Sequence, residues 1–276
     1  MVGTTPLQAI GGQDRARRDD VSAERVPLLV GASKAYGRAG TSGHLQVLRD
    51  FTLLVRPASC TALVAPNGSG KSTVARAILG VEELDAGECA PLTAADLRSA
   101  VLQDYRGLLL PHASVRTNLA LPFRRVAEKE RRIATAEQHL EALGYDLSAG
   151  ATVGQLSGGQ QQSIVLARAL AASGALLVWD EATTAMDYRR RRLLYELLWR
   201  LWARPAAPTV LLITHDIDEA LLLATDVLVL DAQLEVIDQV EVETPVTGRT
   251  LSLLHDPTVR DARDRVRSAM LGDGRA

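Results

Sequence analysis

The sequence predicts an α/β fold with a mainly parallel β-sheet, and three features of the chain support that prediction. Short apolar runs rich in β-branched residues alternate with helical patterns along most of its length. A glycine-containing turn joins one of these apolar runs directly to a helical run. Three of the apolar runs end in polar or charged residues, which is expected where the carboxyl ends of parallel strands meet at one edge of a sheet.

The composition is that of an ordinary globular protein. The 276 residues are 47% hydrophobic and 23% charged, which is enough for a packed core. The net charge of −2 offers no general electrostatic argument for nucleic acid, and we expect no nucleic-acid partner. Cys60 and Cys89 lack metal-ligand spacing and are expected to be reduced structural residues. The chain shows no secretory signal and no apolar run of ~18 residues, so we expect a cytoplasmic protein that acts at a membrane only through a partner.

The first part of the chain is predicted to be an extension followed by two strands. Residues 1–25 are polar and unpatterned, and we expect them to be disordered. Val, Leu and Phe content predicts strands at Leu28–Val30 and Leu45–Val55. Tyr36 is expected to be an exposed aromatic residue in a turn between these strands.

Residues 93 to about 145 are predicted to be mostly helical, including the segment 94–102. Gly144 ends the last of these helices in the position where glycine is favoured. A second glycine-rich turn, Ser157–Gly159, then opens a helix at Gln160–Ala172.

The C-terminal half alternates strands with helices, which favours a parallel sheet. The predicted strands are Leu176–Trp179, Thr209–Ile213, Val227–Leu230 and Leu234–Val242, and the predicted helices are Tyr188–Trp202, Asp218–Leu223 and Pro257–Leu271. In the first of these helices Arg189–Arg192 are expected to form a solvated surface rather than a nucleic-acid contact.

The turn after the apolar run Thr61–Ala65 has the pattern of a phosphate-binding loop. Pro66–Gly70 is rich in glycine, so its backbone N–H groups can converge on one point at the start of a helix. Lys71 would reach the β- and γ-phosphates, and the hydroxyl of Ser72 would ligate Mg²⁺. The sequence therefore predicts that the chain binds a nucleoside triphosphate.

Two further strand ends carry side chains suited to phosphate chemistry. Asp180 follows an apolar strand and could hold Mg²⁺, directly or through water. Glu181 beside it could act as the general base on the attacking water. His215 follows another buried strand and is a candidate for sensing the γ-phosphate.

The turn Leu156–Gln160 is a second helix N-terminus suited to an anion. It either binds a different ligand or completes a nucleotide site on another copy of the chain. The residues alone leave both readings open.

Together these motifs resemble those of the ATP-binding-cassette (ABC) ATPases, over roughly Leu28–Val242. The matching motifs are Walker A at Ala65–Thr73, the Q-loop at Gln103, the family signature at Leu156–Gln162, Walker B at Ala175–Glu181, the D-loop at Ala185–Asp187, the switch histidine at His215 and the adenine-stacking aromatic at Tyr36.

The resemblance implies ATP and Mg²⁺ as cofactors and assigns the site residue by residue. It implies nucleotide contacts from Tyr36, Asn67, Gly68, Ser69, Gly70, Lys71, Ser72, Thr73, Ser157, Gly158, Gly159, Gln160 and Asp187. It implies Mg²⁺ contacts from Ser72, Gln103 and Asp180, and catalytic roles for Glu181, His215, Gln103 and Lys71.

The resemblance also implies an architecture. A P-loop NTPase (RecA-like) core, an antiparallel β subdomain and an inserted helical subdomain at about 104–160 would form an ATPase domain at 26–246. A tail with a helix, 247–276, would follow. Two subunits, as a homodimer or a heterodimer with a paralogue, would pack head to tail, so that Ser157 and Gly159 of one cover the γ-phosphate held by Lys71 of the other.

In such a dimer, Gln103 and the stretch 108–122 would pass motion to a membrane permease, and a substrate-binding protein would act indirectly. The chain would then lie on the cytoplasmic face of the plasma membrane as a peripheral subunit. The segments 109–122, 213–230 and 255–271 resemble importers of nitrate, sulfonate or taurine.

Other functions compete with that of an import ATPase. One alternative is an exporter or lipoprotein-release ATPase, and another is a soluble ABC ATPase acting on nucleic acid or ribosomes. A P-loop kinase is disfavoured because it leaves the turn Leu156–Gln160 unexplained.

The chain departs from the family pattern at several positions. Ala65 replaces the first Walker A glycine, Ala182 a proline, and Ser163 an arginine. Ala58 and Ser59 replace a Gly-Glu turn, and Trp179 is bulky for its position. None of these changes removes a catalytic group.

Overall fold

The computed structural model describes residues 25–37, 43–90, 98–123, 128–172, 174–183, 186–204, 207–244 and 248–271. Parts of several predicted segments lie outside the described residues: 1–24 of the extension, 93–97 and 124–127 of the predicted helical region, Ala185 of the D-loop, 245–246 of the ATPase domain, and 247 and 272–276 of the tail. Within the described ranges, no helix combines the length and apolar character needed to cross a membrane.

Strands and helices alternate over most of the described chain. The strands are β1 Val26–Tyr36, β2 Leu45–Val55, β3 Cys60–Val64, β4 Ala86–Cys89, β5 Arg98–Val101, β6 Leu176–Asp180, β7 Thr209–Thr214, β8 Asp226–Leu230 and β9 Val236–Glu241. The α-helices are α1 Lys71–Ile78, α2 Val115–Ala120, α3 Lys129–Ala142, α4 Gly158–Ala172, α5 Tyr188–Trp202, α6 Ile217–Leu223 and α7 Pro257–Leu271. Short 3₁₀ helices occupy Arg106–Leu108, Leu121–Phe123, Val153–Gln155 and Leu251–His255.

The central sheet confirms the predicted fold class. Its six strands follow the order β5-β6-β7-β3-β8-β9. All neighbouring pairs are parallel except β8 with β9, which is antiparallel. Strands β3, β6, β7 and β8 are buried at every residue, as expected for parallel strands covered on both faces. The carboxyl ends of β3, β6 and β7 therefore lie side by side at one edge.

A second, antiparallel sheet precedes the central one in sequence, in the order β2-β1-β4. Strand β2 spans the predicted Leu45–Val55, but β1 is much longer than the predicted Leu28–Val30. The placement of Tyr36 in a turn was wrong, because Tyr36 is the last residue of β1 and pairs with Leu45. Pairing with β2 stabilises an extended backbone that the local Lys-Ala-Tyr-Gly composition does not indicate.

The predicted helix over 94–102 is wrong where the structure describes it. Arg98–Val101 form β5, the edge strand of the central sheet, paired with Leu176–Trp179. Ala, Leu and Arg favour helices in isolation, but that preference is weak and pairing with β6 overrides it. Val101 is fully buried, so this strand also contributes to the core.

The helices between β5 and β6 are tied to each other by two buried polar side chains. Asn118 of α2 is fully buried and donates to the carbonyl oxygens of Leu110 and Ser114 at 3.0 and 3.1 Å. Arg168 of α4 donates to the carbonyl oxygens of Leu108 and Asn118 at 2.5 and 3.2 Å. Burial lowers the pKa of Arg168 to about 10. These bonds fasten the chain that follows Gln103 to α4.

Candidate functional site

The turn between β3 and α1 requires glycine at its last position. Gly70 has φ +106° and caps α1, and a Cβ there would lie 2.3 Å from Cγ1 of Val47. Gly68 has φ +79°, but a Cβ at that position would meet nothing within 4 Å. Both left-handed residues turn the chain so that α1 begins directly beneath the loop, with its N-terminal N–H groups facing the turn. This is the geometry of an anion cradle.

Lys71 lies in the first turn of α1 with its ammonium group held inside the loop. Its Nζ donates to the carbonyl oxygens of Ala65 and Pro66, both at 2.8 Å. Burial lowers the pKa of Lys71, while the nearby carboxylates of Glu181 and Asp180 oppose that shift. A partly desolvated cation beside an anion cradle is suited to bind phosphate oxygens.

Asp180 ends β6 next to this cradle and is almost completely buried. Among the described residues its Oδ1 has no hydrogen-bond partner. Burial raises the pKa of Asp180, and a hydrogen bond with the side chain of Ser72 opposes that rise. An unpartnered carboxylate oxygen beside a serine hydroxyl is the donor set that Mg²⁺ prefers, so these residues fit the ion.

Glu181, Gln103 and His215 form one hydrogen-bonded group. Gln103 Nε2 donates to Glu181 Oε2 at 3.2 Å, and His215 Nδ1 lies 3.2 Å from Glu181 Oε1. The Glu181 side chain is only 11% exposed, whereas that of His215 is 47% exposed. Three chain segments distant in sequence thus meet at the carboxyl edge of the sheet.

The remaining loop residues surround the start of α1. The Tyr36 hydroxyl lies 3.3 Å from Oγ1 of Thr73, so its ring stands beside the first turn of that helix. Asn67 is exposed, whereas Ser69 is buried and its Oγ has no hydrogen-bond partner in the described chain.

The second glycine-rich turn forms a capping box. The Ser157 N–H donates to Oε1 of Gln160 at 2.8 Å, and the Gln160 N–H lies 3.4 Å from Ser157 Oγ. A Cβ on Gly158 or Gly159 would lie 3.0 or 3.2 Å from a tyrosine hydroxyl. No hydrogen bond in the described chain joins Ser157 to the loop at Lys71. Within one subunit, therefore, no hydrogen bond among the described residues links the turn at Ser157 to the phosphate loop before Lys71.

Asp187, the described end of the D-loop, caps the next helix. Its side chain accepts from the Arg190 N–H at 2.9 Å at the start of α5. It also pairs with the Arg190 guanidinium. The bond from the backbone N–H of Arg190, together with that guanidinium, holds the pKa of Asp187 below its usual value. The Arg190 guanidinium in turn stacks 4.6 Å above the ring of Tyr145.

The substitutions relative to the family pattern are accommodated in different ways. Ala65 and Trp179 are buried in the core, and Ala65 is not among the residues with positive φ. Ser163 is fully buried and donates to the carbonyl oxygen of Gly159 at 2.9 Å. Ala58 has φ +54° and is therefore strained.

Sequence reasoning missed a buried polar group behind this site. Glu219 of α6 is 2% exposed and accepts hydrogen bonds from Thr183 and Thr214. The only signal in the sequence is a carboxylate four residues after the histidine, and its burial could not be read from that spacing.

The fold and the residues at the carboxyl edge of the central sheet define a P-loop ATPase. The glycine-rich loop after β3 forms an anion cradle beside a buried lysine, and two carboxylates lie at the end of β6, two strands away in the same sheet. The family model described as "ABC transporter" matches residues 48–184. The chain belongs to this family, and it binds and hydrolyses ATP.

Two curated relatives are similar over most of the chain. It is 40% identical to the aliphatic sulfonates import ATP-binding protein SsuB 1 of Pseudomonas fluorescens, over 72% of this chain and 73% of the relative. It is 36% identical to the Fe(3+) ions import ATP-binding protein FbpC 2 of Rhodococcus jostii, over 88% of this chain and 72% of the relative.

A solved structure shares the architecture. The dimeric structure of MJ0796, a bacterial ABC transporter cassette, superimposes with a TM-score of 0.67 at 25% identity, covering 79% of this chain and 99% of that one. A second structure of that cassette holds ADP and Pi in a post-hydrolysis state.

Proposed function

We propose that this chain is the ATP-hydrolysing subunit of an importer for a small sulfonate-type anion, working with a separate membrane permease. The observation that carries the enzymatic part is the meeting of Gln103, Glu181 and His215 at one sheet edge beside Lys71. The substrate class is supported by the relative that is named as an aliphatic sulfonates import protein. On this proposal the subunit lies peripherally on the cytoplasmic face of the membrane.

The loop residues hold the triphosphate. The N–H groups at the start of α1 bind phosphate oxygens, and the ammonium of Lys71 exchanges its carbonyl partners, those of Ala65 and Pro66, for phosphate oxygens. Tyr36, beside Thr73, offers an aromatic face to the adenine, and the side chains of Asn67 and Ser69 line the loop. Ser72, Asp180 and Gln103 would hold Mg²⁺, which when bound neutralises charge on the phosphates.

On this proposal Glu181 accepts the proton of the attacking water. Its two oxygens lie within reach of Gln103 and His215, so the carboxylate is oriented from both sides. Because the side chain of His215 is about half exposed, it can face a phosphate placed on the loop.

Ser157–Gln160 and Asp187 act across a dimer on this proposal. Ser157 is exposed and its helix N-terminus is preformed by the capping box, so it can meet a phosphate held on another subunit. The dimeric state of the MJ0796 cassette supports such an arrangement.

The dimer is tested by analytical ultracentrifugation of Glu181→Gln with Mg-ATP. We expect the mass of two chains with ATP and of one chain with ADP. Ser157→Asp in the same background places a negative charge at the helix N-terminus facing the phosphate, and should leave one chain under both conditions. If Ser157→Asp still dimerises with ATP, the turn Leu156–Gln160 does not lie in the dimer interface.

The transport role is tested by affinity purification of tagged Glu181→Gln from native membranes with ATP. A multi-spanning permease should co-purify.

A deletion strain should lose growth on an aliphatic sulfonate as sole sulfur source but grow on sulfate. The wild-type gene should restore growth on the sulfonate, whereas the Glu181→Gln gene should not. Unchanged growth on sulfonates, with a phenotype under iron limitation, would reassign the solute to the ferric type. Recovery of only ribosomal or DNA-associated proteins would reject the transporter role.

A further inference from the structure

The carboxylate of Glu219 is buried among three hydroxyl groups. Oε2 accepts from Thr214 Oγ1 at 2.6 Å, and Oε1 accepts from Thr183 Oγ1 at 2.7 Å. The Tyr195 hydroxyl approaches Oε1 from α5 at 3.4 Å. Glu219 is 2% exposed as a whole residue, so water does not replace these donors. The first two bonds are much shorter than the third, which makes them the stronger ones. Burial raises the pKa of Glu219, and the bonds from Thr214 and Thr183 oppose that rise.

The two short bonds reach chain segments that carry catalytic candidates. Thr214 ends β7 and directly precedes His215, whereas Thr183 lies two residues after Glu181 at the end of β6. Thr214 Oγ1 also accepts from the N–H of Asp216, so its hydroxyl bridges both sides of His215. The Glu219 carboxylate thus links the two chain segments that carry Glu181 and His215.

The backbone at Glu181 needs support of this kind. Its φ is +48°, a left-handed conformation that is strained for a residue with a side chain. The Glu181 N–H donates to the carbonyl oxygen of Ile213 at 2.9 Å. The carbonyl oxygen of the next residue, Ala182, accepts a hydrogen bond from Gln162 Nε2 at 2.6 Å. Thr183 adds the following tether through Glu219. The strained residue is therefore held from the sheet, from α4 and from α6.

We propose that Glu219 is a positioning residue for ATP hydrolysis: by binding Thr183 and Thr214 together, it keeps the Glu181 carboxylate and the His215 imidazole at hydrogen-bond distance. Glu219 does not itself touch the substrate. The proposal deepens the proposed function, since it rests on Glu181 and His215 acting in hydrolysis.

Substitutions at Thr183 test this without emptying the core. Thr183→Val removes the hydroxyl at nearly constant volume, and Thr183→Ser keeps it. Tyr195→Phe is the matched control, because it removes a hydroxyl from the same carboxylate but leaves both strand ends tethered. For the full-length variants, kcat and KM for ATP are measured together with the midpoint of thermal unfolding.

We expect Thr183→Val to lower kcat at least about tenfold, with KM within about twofold of wild type. Thr183→Ser and Tyr195→Phe should keep kcat within about threefold. Rescue by serine together with the kcat-specific loss supports positioning. If Thr183→Val lowers kcat no more than Tyr195→Phe does, Glu219 is purely structural and the proposal is wrong.

Glu181→Gln separates this result from the proposed function. If Glu181→Gln abolishes hydrolysis while Thr183→Val does not impair it, only the positioning role fails. If Glu181→Gln retains turnover, the assignment of the base fails, and the positioning role built on it fails as well.

Discussion

The imidazole Nδ1 of His215 lies 3.2 Å from Oε1 of Glu181, so the side chains that follow two neighbouring parallel strands meet directly. The other carboxylate oxygen of Glu181 accepts a hydrogen bond from Gln103, so this side chain is held between two partners. The pair therefore couples the end of β6 to the end of β7. A substitution at either side chain should lower the rate of hydrolysis more than it lowers the affinity for nucleotide.

Glu181→Gln should lower ATP turnover by about a hundredfold or more, because the amide cannot accept the proton of the attacking water. Affinity for ATP should remain within about threefold, since the phosphate loop is untouched. Turnover is measured by phosphate release and affinity by titration with a fluorescent ATP analogue. Substantial residual turnover would exclude Glu181 as the base.

Gly70→Ala should destabilise the protein much more than Gly68→Ala. Both residues have positive φ, which costs an alanine about 1 kcal/mol, but only the methyl group at position 70 also meets Val47 at 2.3 Å. We expect losses of about 3 kcal/mol for Gly70→Ala and about 1 kcal/mol for Gly68→Ala in urea unfolding without nucleotide. Adding Val47→Ala should recover part of the first loss. Equal losses at the two glycines would contradict the steric argument.

Ala58→Gly should stabilise the protein. Ala58 has φ +54° in the turn before β3, and its N–H donates to Thr209 Oγ1 at 3.0 Å. Glycine removes the strain and keeps that bond, for a gain of about 0.5–1 kcal/mol. Ala203→Gly is the control, because Ala203 is exposed with φ −71° and glycine there only adds unfolded-state entropy. The same chemical change should therefore raise the unfolding midpoint at 58 and lower it at 203.

The stability of the protein should fall as the pH drops below about 6.5, partly because of His139. Burial in α3 lowers the pKa of His139, although its Nδ1 lies 3.3 Å from the carbonyl oxygen of Ala167 and that contact opposes the shift. The unfolded chain therefore takes up the proton first, so stability present above the unfolded pKa is lost as the pH falls toward the folded pKa. Urea unfolding between pH 5 and 7.5 measures the slope. His139→Gln should flatten it, and parallel curves for the two proteins would disprove the role of His139.

Local patterns predicted the parts of the fold that short-range chemistry controls. The helix Tyr188–Trp202 begins where Asp187 caps it and matches its predicted bounds. Gly144, with φ +81°, lies just after the end of α3, as predicted from glycine preferences. In both cases the determining contacts lie within a few residues of each other in the sequence.

The wrong predictions share a different cause. Arg98–Val101 became a strand because β6 lies beside it, and Tyr36 became a strand residue because β2 pairs with it. The paired residue is 78 positions away for Arg98 and nine positions away for Tyr36. In both cases the hydrogen bonds come from a separate strand, which the local composition could not indicate.

The sequence by itself determined that the chain has a phosphate loop, acidic and histidine side chains after neighbouring strands, and a second glycine-rich helix start. These follow from residue type and spacing, because glycine φ angles, helix caps and apolar strands are local properties. Only the tertiary structure decided that Gln103 and His215 flank the same carboxylate, and that Glu219 is buried against Thr183 and Thr214. The order of parallel strands brings those groups together, and that order depends on pairing and burial over the whole chain rather than on any one segment.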